Sequence, residues 1–315
     1  MSTLVMLFLL AITMAIVFTD AASVSEGSTP APSSSKAKVW AYATHTEGKE
    51  SDWGSQFPAC GEGHRQSPID ITDLDKGALN NIPYMTAQQS TRKCRPITFG
   101  GAYVNEFGGR VRDGYAENNG HTVLYALREN VEATITGGVL RADVFQLHSF
   151  HVHWGSEDWR GSEHTVDGKA YPAELHFVHY NTKYDNLSNA IDHSDGLAVI
   201  GVFFKVGCCD NPELNEIKFH NLHSKGMKQT IKTLFLNNLL PTVRNYYTYE
   251  GSLTTPPCSE SVRWIVMQHP IDMSTTQMWA FRRIYGENDE PIHNNYRPTQ
   301  PKFKRRARLY FGNCS

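Results

Sequence analysis

Two histidines one residue apart, His151-Val152-His153, and a third at His176 are the side chains in this 315-residue chain whose types and spacing could do chemistry together. Side chains alternate along an extended strand, so His151 and His153 share a face while Val152 points the other way. His176 lies in a second apolar run, Glu174-Leu175-His176-Phe177-Val178, and pairing that run beside the first would bring a third imidazole to the same face. Three neutral imidazoles with a fourth position left to water form a catalytic zinc arrangement, whereas a structural zinc is closed by four protein ligands, and no cysteine lies in either run. The same period of two places Glu174 and Val178 on the His176 face. The carboxylate can accept a ring N–H and fix the tautomer, and Val178 supplies an apolar wall. Spacing alone leaves a second reading open, a strand-buried histidine cluster without metal. Of the remaining histidines, His45, His193, His220, His223, His269 and His293 read as surface groups or satisfied core residues.

These side chains need strands to hold them. From Val39 onward, aromatic and β-branched residues recur in short runs broken by Gly, Asn, Asp and Pro, the pattern of a strand-rich domain. Residues 122–127, 144–154, 173–180 and 197–206 read as strands, the last continuous enough in Val, Ile, Phe and Leu to be buried on both faces. Helical patterns are shorter: an extension of 215–219, 228–236, and 274–285 with Ser274 as N-cap. No repeat and no second break in composition divides the chain, so one domain over 39–311, with 312–315 as a tail, is expected.

Ahead of that domain, residues 4–18 are almost unbroken apolar and are followed by the small residues Ala21-Ala22-Ser23, the pattern of a secretory signal peptide over 1–22. Residues 23–38, rich in Ser, Ala and Pro, read as a flexible leader. No later run reaches the roughly 20 apolar residues a spanning helix requires, and no lipid-anchor tail is expected. A formal net charge of -2 gives no global support for nucleic-acid binding, and the basic run at 302–308 reads as solvated surface. A secreted, extracellular location allows disulfides among Cys60, Cys94, Cys208, Cys209, Cys258 and Cys314, without fixing the pairing, and glycosylation at the sequons of Asn186 and Asn313.

The blocks around the histidines carry a resemblance. Ser149-Phe150-His151-Val152-His153-Trp154-Gly155, Gly161-Ser162-Glu163-His164-Thr165-Val166-Asp167 and Ala173-Glu174-Leu175-His176 closely resemble the α-carbonic anhydrases. So do Arg65-Gln66-Ser67-Pro68-Ile69-Asp70-Ile71, Asp195-Gly196-Leu197-Ala198-Val199, Gly251-Ser252-Leu253-Thr254-Thr255-Pro256-Pro257 and Asn295-Tyr296-Arg297-Pro298, all in family order. The resemblance implies a mainly β, single-domain fold with a large twisted, predominantly antiparallel central sheet and short peripheral helices. It implies one zinc ion on His151, His153 and His176, and reversible hydration of carbon dioxide to bicarbonate. Thr254 would orient the attacking oxygen and donate its own proton to Glu163. Glu174, Ser149 and Asn295 would support the ligands, and Val178, Val199, Leu253, Thr255 and Trp264 would form an apolar recess for substrate. His121 would shuttle protons along water lined by Tyr42 and Asn119, since an imidazole titrating near ~6.5 both accepts and releases at physiological pH. Cys60 and Cys258 stand where secreted relatives carry a disulfide. Small anions and primary sulfonamides are the expected inhibitors at zinc. Ser149 departs from the Gln that most close relatives carry there, and Leu124 replaces a position that is often polar. Related binding proteins that have lost catalysis typically lack a zinc histidine, and this chain keeps all three.

Overall fold

A computed structural model of the chain describes residues 40–42, 53–72, 95–101, 103, 110–127, 131–286 and 289–312. The expectations for the signal peptide and leader, for Cys94 and Cys314, and for the second sequon fall outside those residues. Within them the chain runs through β1 (Asp70–Ile71), β2 (Ile97–Gly101), β3 (Arg110–Asn118), β4 (Val123–Ala126), β5 (Ala133–Gly137), β6 (Phe145–Trp154), β7 (Thr165–Val166) and β8 (Ala173–Asn181). It continues through β9 (Leu197–Gly207), β10 (Lys228–Phe235), β11 (Tyr246–Gly251), β12 (Val262–Met267), β13 (Ile271–Ser274) and β14 (Arg308–Tyr310). The helices are short: α1 (Trp53–Gln56), α2 (Pro58–Glu62), α3 (Leu187–Ala190), α4 (Pro212–Ile217) and α5 (Thr275–Phe281).

Twelve strands form one mixed sheet, mostly antiparallel, with the order β10-β3-β4-β6-β8-β9-β12-β11-β14 along its main path. The parallel pairs are β9 with β12 and β9 with β13, and β1 pairs β7 in a separate ribbon. The central strands separate two cores. Along β9, Ala198, Ile200, Val202 and Phe204 join the larger cluster, while Leu197, Val199 and Phe203 join the other. A strand with both faces covered must be apolar at every position, which is the reason for its unbroken run. Burying each such Val, Ile or Phe side chain contributes roughly 1.5 to 3 kcal/mol.

The four expected strands are present. Helix α5 begins where Ser274 was placed as its cap: the Ser274 hydroxyl accepts from the Gln277 N–H and Gln277 answers at the cap backbone, a reciprocal capping box. Residues 228–236 are a correction, because the segment read as a helix is strand β10. Its Ile231 and Leu234 sit three apart, a spacing compatible with a helix face, and both are buried. The chain instead pairs with β3 over Lys228↔Glu117 through Phe235↔Arg110, and Ile231 and Leu234 point to opposite strand faces, Lys228, Thr230 and Lys232 on the Leu234 face being exposed. The basic run is also more than solvated surface. Arg305 donates to the carbonyls of Gln66 at 2.7 Å and Glu250 at 3.1 Å, Lys302 donates to Thr72 Oγ1 at 3.0 Å, and Ala307 and Leu309 are buried.

On the face of β8 opposite His176, His179 is fully buried in the larger core. Its Nε2 lies 2.9 Å from the Tyr103 hydroxyl and its Nδ1 3.0 Å from the Phe177 carbonyl. Burial pushes its pKa down from 6.5 to about 3, the carbonyl partners only partly opposing the shift. The unfolded chain therefore binds a proton at this residue below pH 6.5 that the folded chain refuses until about 3. Stability from this group is complete above pH 6.5 and is lost as the pH falls toward 3, at about 1.4 kcal/mol per pH unit. His179→Gln should flatten the acid limb by about one proton, measured as unfolding free energy against pH; an unchanged slope would contradict this account.

Candidate metal centre

Strand register assembles the site. His151 on β6 stands directly opposite His176 on β8, His153 stands opposite Glu174, and Gly201 of β9 flanks His176 on its other side. The ligand atoms of His151, His153 and His176 all lie within 4.8 Å of one another. Their rings are arranged edge to face or tilted, with centroids 4.6 to 5.4 Å apart. A carbonyl or a carboxylate can only accept, and that fixes two tautomers. His153 donates Nδ1–H to the Asn295 carbonyl at 2.7 Å, leaving the Nε2 lone pair, which has no partner among the described residues, for the cluster. His176 donates Nε2–H to Glu174 Oε1 at 2.8 Å, leaving its Nδ1 lone pair. Burial lowers the pKa of all three histidines, that of His151 to about 3, so the imidazoles are neutral as metal ligation requires. Inward lone pairs, neutral rings and a buried nitrogen without a partner fit a borderline-soft divalent ion such as zinc.

Glu174 does more than hold His176. Its Oε1 also accepts His164 Nδ1–H at 2.7 Å, and its Oε2 accepts the backbone N–H groups of Glu163 at 2.9 Å and His164 at 2.8 Å. Burial by itself would raise this carboxyl, but His164 and His176 override it and hold the group well below the usual carboxylate range. A Cβ at Gly201 would sit 2.8 Å from Glu174 Oε1, so the adjacent strand must carry glycine there. His164 continues to the Tyr249 hydroxyl at 2.6 Å, and Tyr249 to Ser67 Oγ at 2.9 Å. His164, Glu174 and His176 also cluster closely enough to suggest a metal, yet their nitrogen and oxygen atoms face one another through these hydrogen bonds.

The expected orienting pair is together. The Thr254 hydroxyl hydrogen-bonds the Glu163 carboxylate, and Glu163 Oε1 accepts the Arg297 N–H at 2.8 Å. Burial raises the Glu163 pKa, and these two donors favour its ionised form. Val178, Val199 and Trp264 form one cross-strand row over β8, β9 and β12 and share a buried cluster with Leu253. Thr255 is half-buried at the neighbouring turn, where its carbonyl accepts the Cys258 N–H.

Asn119 Oδ1 accepts the N–H groups of His121 and Thr122, both at 2.9 Å, and so shapes the turn that presents His121. The His121 ring stacks on Trp40 at 4.2 Å, with Tyr42 edge-on at 6.5 Å. Asn295 joins this turn to the metal strand: its Nδ2 donates to the carbonyls of His121 at 3.0 Å and Val152 at 3.1 Å, while its own carbonyl holds His153. Ser149 Oγ shares a hydrogen bond with His148 Nδ1 at 3.0 Å, and His151 Nδ1 has no partner among the described residues. Asn186 is exposed and caps α3 through its Oδ1, leaving Nδ2 outside that bond.

Sequence reasoning gave no role to His164, Tyr249, Ser67 or Arg297. Buried Arg297 donates to Gln66 Oε1 at 2.8 Å and to the carbonyls of Ser67 and Cys60, both at 2.9 Å. The first of these partners is 231 residues away along the chain, and the only sequence signal was membership of the quoted blocks.

A broad mixed sheet with three neutral histidines at its centre, a carboxylate behind one of them, a hydroxyl–carboxylate pair and an apolar row alongside defines a metal-dependent enzyme acting on a small substrate. Residues 48–311 match the family model of the eukaryotic-type carbonic anhydrase. The chain is similar to carbonic anhydrase 7 of Homo sapiens, 38% identical over 270 residues covering 83% of this chain and 93% of that protein. It is likewise similar to carbonic anhydrase 3 of Bos taurus, 34% identical over 274 residues covering 84% and 95%. The chain belongs to the eukaryotic-type carbonic anhydrase family, zinc-dependent enzymes that interconvert carbon dioxide and bicarbonate.

A disulfide joins Cys60 to Cys258 across 198 residues. It fastens α2 to the loop carrying Thr254, where Gln66 Nε2 also donates to the Cys258 carbonyl at 3.1 Å. Closing so long a loop restricts the unfolded chain by about 5 kcal/mol in the chain-entropy account. Replacing both cysteines by serine should lower the unfolding free energy by roughly that amount in denaturant titration. A loss below about 1 kcal/mol would show that loop closure is not what the bond contributes.

Proposed function

We propose that this chain is a secreted carbonic anhydrase that works through one zinc ion held by His151, by His153 Nε2 and by His176 Nδ1. The observation that carries the reading is the pair of fixed tautomers that turn lone pairs of His153 and His176 into a neutral histidine cluster. When bound, zinc supplies a Lewis acid that lowers the pKa of coordinated water so that hydroxide is available near neutral pH; carbonic anhydrase is itself the standard example of this effect. The chain's own residues do the rest. Val178, Val199, Leu253 and Trp264, with Thr255 at the rim, give an apolar, uncharged substrate a recess. The Thr254 hydroxyl donates its hydrogen bond to Glu163 and so presents an oxygen lone pair that can accept only from the nucleophile, aiming the attacking pair at carbon. Glu174 and Asn295 keep two ligand rings in place. Asn186, in its exposed cap, carries the N-glycan, and the Cys60–Cys258 bond accords with an oxidising compartment. Small anions and primary sulfonamides inhibit by occupying the metal.

His176→Ala removes a ligand and leaves Glu174 one donor short. Metal analysis should show loss of most of the zinc, together with loss of hydration activity in stopped flow; stoichiometric zinc and full activity in the variant would refute the assignment.

His121 carries the product proton away from the centre through water beside Tyr42 and Asn119. Attack on carbon dioxide is complete before that proton must leave, and kcat/KM reports only steps through the first irreversible one. His121→Ala should therefore lower kcat about tenfold or more while kcat/KM changes little, and small imidazole buffers should restore kcat. Wild-type kcat for the variant in weak buffer would assign the proton to another group.

A further inference from the structure

Cys208 and Cys209 follow β9 directly and are exposed free thiols. Adjacent side chains on extended backbone point to opposite faces, so two neighbouring sulfurs meet only where the chain bends. It bends at both residues, and the two Sγ atoms lie 3.1 Å apart. The bend is pinned at each end. Gly207 stands opposite Ser274 in the β9–β13 pairing, and beyond the cysteines the Asp210 carboxylate accepts the Ser274 hydroxyl. Asn211 is clamped by Gln277, receiving its Nε2–H at 2.8 Å and donating N–H to its Oε1 at 2.8 Å. The capping box of α5 thus holds the chain before and after the two thiols, and their approach requires no further ordering of the loop.

We propose that Cys208 and Cys209 form a redox modification site, a vicinal dithiol that closes into a ring disulfide by exchange with a low-molecular-weight disulfide such as oxidised glutathione. The thiolate of one cysteine attacks a glutathione sulfur, forms a mixed disulfide and expels one glutathione thiolate. The neighbouring thiolate then attacks the protein sulfur of that mixed disulfide and expels the second. Two cysteine thiols are oxidised, one glutathione disulfide is reduced to two thiols, and the two protons end on glutathione. An S–S bond is about 2.05 Å long, so the sulfurs have about 1 Å to close. The second step is intramolecular between groups already in contact, which favours ring closure over a lasting adduct. The site is separate from the metal centre: Cys208 lies seven residues beyond Gly201, the residue opposite His176, roughly 23 Å along the strand at ~3.3 Å per residue.

The test is peptide mass spectrometry of the intact protein after equilibration with a reduced and oxidised glutathione mixture. Trypsin releases residues 206–218 as a single peptide holding both cysteines and no other. In the wild type that peptide should be about 2 Da lighter than its dithiol form and return to it on reduction. C208S and C209S should each instead retain one glutathione, about 305 Da, having no neighbour to displace it. Hydration activity should be the same before and after oxidation. A stable glutathione adduct on the wild-type pair, a bridge to a cysteine in another peptide, or two thiols that resist oxidised glutathione would each overturn the proposal.

Discussion

A single buried carboxylate, that of Glu174, ties the metal centre to the rest of the protein. Desolvating an ion is costly unless its lone pairs are satisfied, and Glu174 meets that demand with four donors: the rings of His164 and His176 and two consecutive backbone N–H groups. Each donor imposes something. The two N–H groups fix the chain at Glu163, which places the Glu163 side chain beside Thr254. The His164 ring reaches on through Tyr249 to Ser67, whose Oγ also accepts the Ser252 N–H at 3.0 Å, two residues before Thr254. His176 of the candidate metal cluster and the Thr254–Glu163 pair are therefore positioned from one ion, and removing it would disturb both at once.

The sheet makes this possible because it separates two tasks. One face packs the larger apolar core, with Phe150, Val152 and Trp154 of β6 and Leu175 and Phe177 of β8. The opposite face of the same two strands carries the histidines and Val178, from which the apolar row continues onto β9 and β12. Rigid strands hold side chains to within small displacements, which a catalytic constellation requires. The loops that complete the site are fixed by other means, the Thr254 segment by the Cys60–Cys258 bond and the hydrogen bond from Trp264 Nε1 to the Ser252 carbonyl at 3.1 Å, and the His121 turn by Asn119 and Asn295.

What could be read from sequence was whatever depends on near neighbours. Alternation along 144–154 and 173–180 is a local property, so His151 and His153 could be placed together on one face of their strand, and Glu174 and His176 on one face of theirs, before any pairing was known. The family resemblance supplied Thr254, Glu163 and Asn295, which no local pattern distinguishes from loop residues. Segment 228–236 was misread because Ile231 and Leu234, three apart and both buried, satisfy a helical spacing. The deciding factor was hydrogen bonding to β3, more than a hundred residues earlier, which no local window contains. Arg297 and Tyr249 were missed for the same reason: their partners Gln66 and His164 are distant in sequence, and a buried arginine or tyrosine has no signature of its own until its partners are in place.

The three ligand rings are not held alike, and that asymmetry bears on how the site keeps its shape. His176 is backed by a carboxylate and His153 by a backbone carbonyl, each fixing ring orientation and tautomer. His151 has neither support, because the Ser149 hydroxyl that shares its strand face is bonded to His148, drawn there by the irregular register between Leu147 and Ser149. What locates His151 is packing and strand pairing: Leu124 of β4 opposite it on one side, His176 of β8 opposite it on the other, and burial that keeps the ring neutral. Leu124 thus has a consequence beyond making the rim apolar. It can offer the ring contact but no hydrogen bond, and van der Waals contact restrains a ring's position better than its rotation about χ2. Of the three imidazoles, His151 is the one whose ring orientation no hydrogen bond among the described residues fixes.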